Sequence, residues 1–158
     1  MGSLKLVFKK RIKMKKLLVI ALMVPCLALA QGKQKPGVLY DANITRVIDG
    51  DTVAIEAPWL PDPLKKELSI RVFGVDTPEK GHRAQCPKEE VMGQKATEFT
   101  KKAVTYAKKR QVIVMDWDKY GGRLLGDVML DGKSLRQALI ANGHAREYYG
   151  EAKQSWCN

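Results

Sequence analysis

The sequence predicts a mainly β chain with helices, an α+β fold in which about five short strands close edge to edge as a small β-barrel. Three observations carry this prediction. Short runs rich in Val, Ile and Leu recur between clusters of Gly, Pro and Asp. One segment after Pro87 spaces its apolar residues by three or four. Once the first thirty residues are set aside, 128 remain, enough to bury one core.

Residues 1–30 read as a targeting segment. They hold seven basic residues and no acid. A basic stretch ends at Lys15-Lys16, and an apolar run follows from Leu17 to Ala30. As a helix that run rises about 21 Å, short of a hydrocarbon core of about 30 Å. Ala28-Leu29-Ala30 supplies a small-x-small site before Gln31. The pattern is that of a secretory signal peptide cleaved after Ala30, so the product is expected to be exported, periplasmic or secreted. An uncleaved membrane anchor is the alternative, and Met14 is a second candidate start. The net charge of +11 is therefore misleading. Residues 31–158 carry 21 basic and 17 acidic residues, a net +4 that argues little for a polyanionic partner. Of the three cysteines, Cys26 leaves with the signal, and Cys86 with Cys157 favour a disulfide in an exported chain. The rival is a zinc site with His82 and His144, which lacks zinc ligand spacing.

Along the rest of the chain, Gln31–Gly37 reads as a polar linker before a domain spanning 38–158. Ile44–Ile48 and Thr52–Glu56 are strand-like runs around Asp49-Gly50, a hairpin signal whose turn positions tolerate positive φ. Pro58, Pro61 and Pro63 make Ala57–Lys66 a loop. Leu68–Val75 is strand-like, and Lys80–Glu90 is a polar loop. Pro87 suits a first helical turn, and the helix runs to about Arg110 with Ala96, Phe99, Ala103 and Ala107 as its buried stripe. Val112–Trp117 and Arg123–Leu130 are strands. Ser134–Asn142 is a short helix with Leu135, Ala138 and Leu139 inward, ended by Gly143. Ala145–Tyr149 is a last strand.

Carboxylates cluster at Asp49-Gly50-Asp51-Thr52 and at Asp76-Thr77-Pro78-Glu79. Each alone reads as a turn or a strand exit. If the two points meet, four carboxylates converge and need a cation or arginines to neutralise them. Oxygen donors without His or Cys suit a hard cation such as Ca²⁺ or Mg²⁺. Arg71 and Arg123 offer planar forks of donors suited to phosphate. A cation, a carboxylate base and two arginines suit phosphodiester hydrolysis. Strict alternation places Arg71 and Asp76 on opposite faces, so a bend near Gly74 is required.

Val47-Ile48-Asp49-Gly50-Asp51-Thr52-Val53, Arg71 with Val75-Asp76-Thr77-Pro78-Glu79, and Asp118-Lys119-Tyr120-Gly121-Gly122-Arg123 together resemble the staphylococcal nuclease family. Leu139-Ile140-Ala141-Asn142-Gly143-His144-Ala145 resembles its closing helix and turn. The resemblance covers about residues 38–150. It implies a five-stranded OB-fold barrel with an inserted helix and a short C-terminal helix. It also implies Ca²⁺-dependent cleavage of DNA and RNA by water, leaving 3′-phosphate ends, by a monomer without a stable protein partner. Asp51 and Asp76 match metal ligands, the Thr77 carbonyl matches a third, and Asp49 matches a supporting acid. Glu79 matches the proposed general base, and Arg71 and Arg123 match the phosphate-gripping arginines. Lys119, Tyr120 and Tyr149 match nucleotide-contacting residues. There are departures: an extra glycine before Arg123, a longer Pro-rich loop, a chain that stops soon after Gly150 so that most of a last helix present in the type enzyme is missing, and the two cysteines. A Cys86–Cys157 bridge is expected to replace the restraint lost with that helix. The alternative reading is a catalytically silent OB-fold nucleic-acid-binding module, and a third is a membrane-tethered nuclease. Trp59 is expected to be partly buried, His82 and His144 to be surface or turn residues, and the Lys101-Lys102 and Lys108-Lys109-Arg110 runs to be a solvated helix face.

Overall fold

The computed structural model describes residues 36–158 apart from Tyr120. The expected signal segment, its expected cleavage point and most of the expected linker lie outside the described residues. The elements are β1 (Val38–Asp41), β2 (Ile44–Val47), β3 (Thr52–Glu56), β4 (Glu67–Val72), β5 (Val75–Asp76), α1 (Pro87–Tyr106), β6 (Arg110–Trp117), β7 (Arg123–Leu130), β8 (Lys133–Ser134), α2 (Leu135–Ala141) and β9 (Arg146–Glu147). The mainly β, two-helix class holds, with the long helix inserted and the short one near the C-terminus.

The main sheet runs β1-β6-β7-β4-β3-β2, and β8 pairs with β7. β4 sits between antiparallel β3 and parallel β7. The expected closure into a barrel is not made by hydrogen bonds, because the ladder is open with β1 and β2 at its ends. Those ends are consecutive in the chain, joined through Ala42 and Asn43. β1 occupies the outer edge of β6 and was not legible as a strand, since all four of its residues are exposed and show no alternation. Ile70, Val72 and Val75 form the buried centre with Val53, Val112, Val128, Leu135 and Leu139.

The structure makes four local corrections. The run Leu68–Val75 is two strands, because the chain turns at Phe73-Gly74, where Gly74 has φ +77°. Asp49-Gly50 is not a two-residue positive-φ turn. Neither residue has positive φ, and Ile48 and Asp49 both donate their N–H to the Thr52 carbonyl across a wider loop. The long helix stops at Tyr106 rather than Arg110, because the Asp131 carboxylate captures the N–H groups of Lys108 and Lys109. Trp59 is not partly buried; it is 67 % exposed. α2 matches its expected span closely, with Ser134 Oγ capping Gln137 N–H.

Candidate active site

Helix α1 positions both carboxylate loops. Of the predicted stripe, Ala96 is buried, Phe99 and Ala103 are partly buried and Ala107 lies just past the helix; the buried face also carries Val104, Glu89, Gly93, Thr97 and Thr100. Thr100 Oγ1 donates to the Gly50 carbonyl at 2.7 Å, which fixes the first loop. A Cβ on Gly50 would sit 2.8 Å from Ala96 Cβ and 3.2 Å from Thr77 Cγ2, so that loop packs directly on the helix and on the second loop. The second loop is held by Glu89, whose carboxylate accepts from Glu79 N–H at 3.2 Å and Gln85 N–H at 2.7 Å. Gly93 lets the Glu79 backbone reach the helix: a Cβ there would lie 2.3 Å from the Glu79 carbonyl oxygen. The turn at Gly74 supplies the bend that strand alternation required, so Arg71 in β4 and Asp76 in β5 serve one region.

The two carboxylate points do meet, and basic side chains join them. Arg71 Nη2 lies 2.9 Å from Asp51 Oδ2, and Thr52 Oγ1 donates to Asp51 Oδ1 at 2.8 Å. Arg83 bridges the loops, with Nη2 at 3.2 Å from Asp49 Oδ2 and Nε at 3.3 Å from Glu79 Oε2. Lys153 Nζ lies 2.6 Å from Asp76 Oδ1 and 3.7 Å from Glu79 Oε1. Trp156 Nε1 donates to Asp76 Oδ2 at 3.0 Å. Burial pushes the Asp51 carboxyl up to about 7; the Arg71 charge opposes this and the neighbouring Asp49 adds to it. Burial works against the Lys153 charge, but Asp76 and then Glu79 outweigh it and raise its pKa.

The remaining predicted residues are placed less centrally. Ser69 of β4 pairs with Arg123 of β7, which puts Arg123 one strand over from Arg71. Its guanidinium lies against Asp118, with Nε at 2.9 Å and Nη2 at 2.5 Å from one carboxylate oxygen. Lys119 is exposed, and Tyr120 lies outside the described residues. Tyr149 packs edge-on to Phe73 and bonds Arg136 through its hydroxyl, beside the Gly74 turn. Cys86 and Cys157 are bonded, with Cα atoms 6.0 Å apart. Sequence reasoning missed Arg83, Glu89, Lys153 and Trp156. Arg83 had a signal, four residues beyond Glu79. Glu89 reads as an ordinary acid of a helix start, although its partners Gln85 and Glu79 lie only four and ten residues away. Lys153 and Trp156 act across long sequence separations and had no signal, save that Trp156 precedes a bridged cysteine.

Among the described residues, no three His, Cys, Asp or Glu side chains are gathered closely enough to hold a metal ion as the site stands. The donor chemistry nonetheless fits a hard divalent cation. All candidate donors are oxygen. Four carboxylates face three cationic side chains, Arg71, Arg83 and Lys153. Asp49 Oδ1 is buried without a hydrogen-bond partner.

The staphylococcal nuclease homologue family model matches residues 69–156, more than half of the chain. The chain is similar to endonuclease YhcR of Bacillus subtilis (strain 168), 33 % identical over 116 residues, which is 70 % of this chain and 9 % of that protein. It is similar to the thermonuclease of Staphylococcus hyicus, 33 % identical over 123 residues, 73 % of this chain and 66 % of that one. It is also similar to endonuclease YncB of Bacillus subtilis (strain 168), 31 % identical over 116 residues, 70 % and 49 % of the two chains. In each case the match spans less than two thirds of the relative. The family match takes in Arg71, Asp76, Thr77, Glu79 and Arg123 in one stretch, and the chain belongs to the staphylococcal nuclease family.

Proposed function

We propose that the chain is an exported nuclease that uses Ca²⁺ to hydrolyse phosphodiester bonds of DNA and RNA and leaves 3′-phosphate ends. The observation that carries the reading is the Asp51–Arg71 pair beside Asp49, with Glu79 linked to the same cluster through Arg83. The endonuclease and thermonuclease names of its relatives support it. Asp51, Asp76 and the Thr77 carbonyl are the groups to hold Ca²⁺, with Asp49 in support. Bound there, Ca²⁺ supplies positive charge to a phosphate oxygen.

The chain's own residues supply the rest. Glu79 accepts a proton from water as the water oxygen bonds to phosphorus. The bond from phosphorus to the 5′ oxygen breaks, that oxygen leaves as a hydroxyl by taking a proton from solvent water, Glu79 later returns its own proton to solvent, and the phosphate stays on the 3′ oxygen. Arg71 and Arg123 donate to the non-bridging oxygens, where charge grows in the transition state. For Arg123 this means exchanging Asp118 for phosphate. Lys119, Tyr120 and Tyr149 contact the nucleotide. Export rests on the basic stretch, the apolar run and the site at Ala30.

The test is cleavage of single-stranded DNA, duplex DNA and RNA with Ca²⁺ or chelator, beside Glu79→Gln. Cleavage that needs Ca²⁺ and falls about 10²–10⁴-fold in the variant is expected. Tight binding without cleavage would make the protein a silent OB-fold binding module. For export, Gln31 is the expected N-terminal residue of the protein recovered outside the cytoplasm, and a retained Met1 or Met14 would show tethering.

A further inference from the structure

The segment Glu151–Asn158 has no helix or strand, yet it is fastened at several points. Cys157 is bonded to Cys86, the N-cap of α1, whose sulfur accepts from Glu89 N–H. Lys88 Nζ donates to the Asn158 carbonyl. Arg146 Nη1 donates to the Ser155 carbonyl at 3.0 Å, and its guanidinium carbon lies 3.7 Å from the centre of the Trp156 ring. β5 pairs with β9 so that Asp76 stands opposite Arg146, which brings the segment to the site. The segment walls a cavity of about 440 Å³ onto which Asp76 and Glu79 open.

Two side chains of the segment reach Asp76, and they differ in kind. Trp156 is 6 % exposed and presents a donor-only N–H to one carboxylate oxygen. A buried indole clamped under a guanidinium is a rigid partner. The Lys153 side chain is 46 % exposed, and its ammonium touches the other oxygen and reaches toward Glu79. A long, half-solvated lysine is replaceable at little cost. One group fixes the carboxylate; the other fills the place of a cation beside it.

We propose that this disulfide-anchored segment is a working part of the site: Trp156 is a positioning residue that fixes Asp76, and Lys153 is a tethered cation that holds Asp76 and Glu79 until a divalent cation displaces it. The proposal rests on the nuclease reading above. It gives the two side chains opposite effects. Lys153→Met removes a competitor and tightens cation binding. Trp156→Phe keeps the ring under Arg146 but loses the N–H, so Asp76 turns freely and cation binding weakens. A segment that only stabilises the fold predicts the same sign for both.

The test is isothermal titration of Ca²⁺ into the nucleic-acid-free protein, with wild-type cleavage followed in parallel. Expected are a Kd about 3–10-fold lower for Lys153→Met and about 10-fold higher for Trp156→Phe, magnitudes set by one lost charge contact and one lost charge-assisted hydrogen bond. Cys86→Ser with Cys157→Ser frees the segment and is expected to raise the Kd at least as much as Trp156→Phe. Should Trp156→Phe fail to fold, the half-exposed Lys153 still decides: an unchanged or higher Kd in Lys153→Met overturns the proposal. Variants that shift together, or not at all, in a protein that binds Ca²⁺ and cleaves overturn it and leave the nuclease reading intact. A wild type that neither binds Ca²⁺ nor cleaves overturns both.

Discussion

Asp49-Gly50 and Asp131-Gly132 are the same dipeptide between strands of the same sheet, and they fold differently. At the second, Leu130 pairs with Lys133, and Asp131 and Gly132 have φ of 49° and 78°. Two central residues with positive φ are the mark of a tight hairpin turn. The Asp131 carboxylate accepts from the N–H groups of Lys108 and Lys109, which hold it below the usual carboxylate range. Nothing lies near a Cβ placed on Gly132. At the first, neither residue has positive φ, Gly50 is packed against α1 and Thr77, and the acids are met by Arg71, Arg83 and the Thr52 hydroxyl, with Asp49 Oδ1 left unpartnered. Gly132 is required by conformation, and Gly50 by space. An acid satisfied by backbone N–H groups closes a turn. An acid forced against another acid by a helix is held ready for a ligand.

The sharpest way to break this contrast is to neutralise each acid in turn. Asp51→Asn is expected to lower kcat/KM by at least about 100-fold, since it removes a charge from the reacting centre. Asp131→Asn is expected to stay within about twofold of wild type. Steady-state cleavage in saturating Ca²⁺ measures both, and equal losses would erase the distinction.

The glycines come next. Gly50→Ala forces a Cβ against Ala96 and Thr77, overpacking of a kind that costs about 1–3 kcal/mol. It also displaces the loop that carries Asp49 and Asp51, so cleavage falls about 10-fold or more at temperatures where the variant is folded. Gly132→Ala costs about 1 kcal/mol through its left-handed φ alone and leaves cleavage unchanged. Denaturant melts beside activity assays separate the two, and a Gly50→Ala enzyme with full activity would show that the loop's place on α1 is not critical.

The same dipeptides show how far the sequence can be read. Local signals worked where local chemistry decides the outcome. Pro87 starts α1, Ser134 caps α2 and Gly74 bends the chain between Arg71 and Asp76. The hairpin rule points to Asp49-Gly50 yet fits Asp131-Gly132, because composition does not reveal what a turn packs against. Order along the chain made Asp51, Arg71, Asp76 and Glu79 legible as a set. Glu89, Lys153 and Trp156 were not legible. Glu89 reads as one more acid on a polar helix start, and only its burial under Glu79 N–H and Gln85 N–H gives it a role. Lys153 and Trp156 lie 77 and 80 residues beyond Asp76, a separation that no local rule spans. β1 was invisible for the opposite reason: it is held by its backbone ladder and leaves all four residues exposed, with Asp41 Oδ1 accepting from Gln111 Nε2 of β6.

The smallest predicted effect is in the pH dependence of stability without divalent cations, where the two acids pull in opposite directions. Asp51 titrates near 7 in the folded protein, above the value of about 3.9 expected of an unfolded Asp. The native state therefore keeps this proton where the unfolded chain has lost it. From this group, stability falls as pH rises from about 4 to about 7, and the loss is complete above that window. Asp131 is lowered on folding, so its contribution is present above about pH 4 and is lost as pH falls through its folded value. Urea unfolding in chelator across about pH 3 to pH 8 is expected to show Asp51→Asn gaining on wild type up to neutrality and then running parallel. Asp131→Asn is expected to trail wild type at neutral pH and to converge with it in acid. Added Ca²⁺ should reverse the first trend, since a bound cation removes the cost of ionising Asp51 and leaves Asp131 untouched. Difference curves that run parallel in chelator would mean that the burial of Asp51 against Asp49 carries no free energy, and the contrast between the two loops would reduce to their backbones.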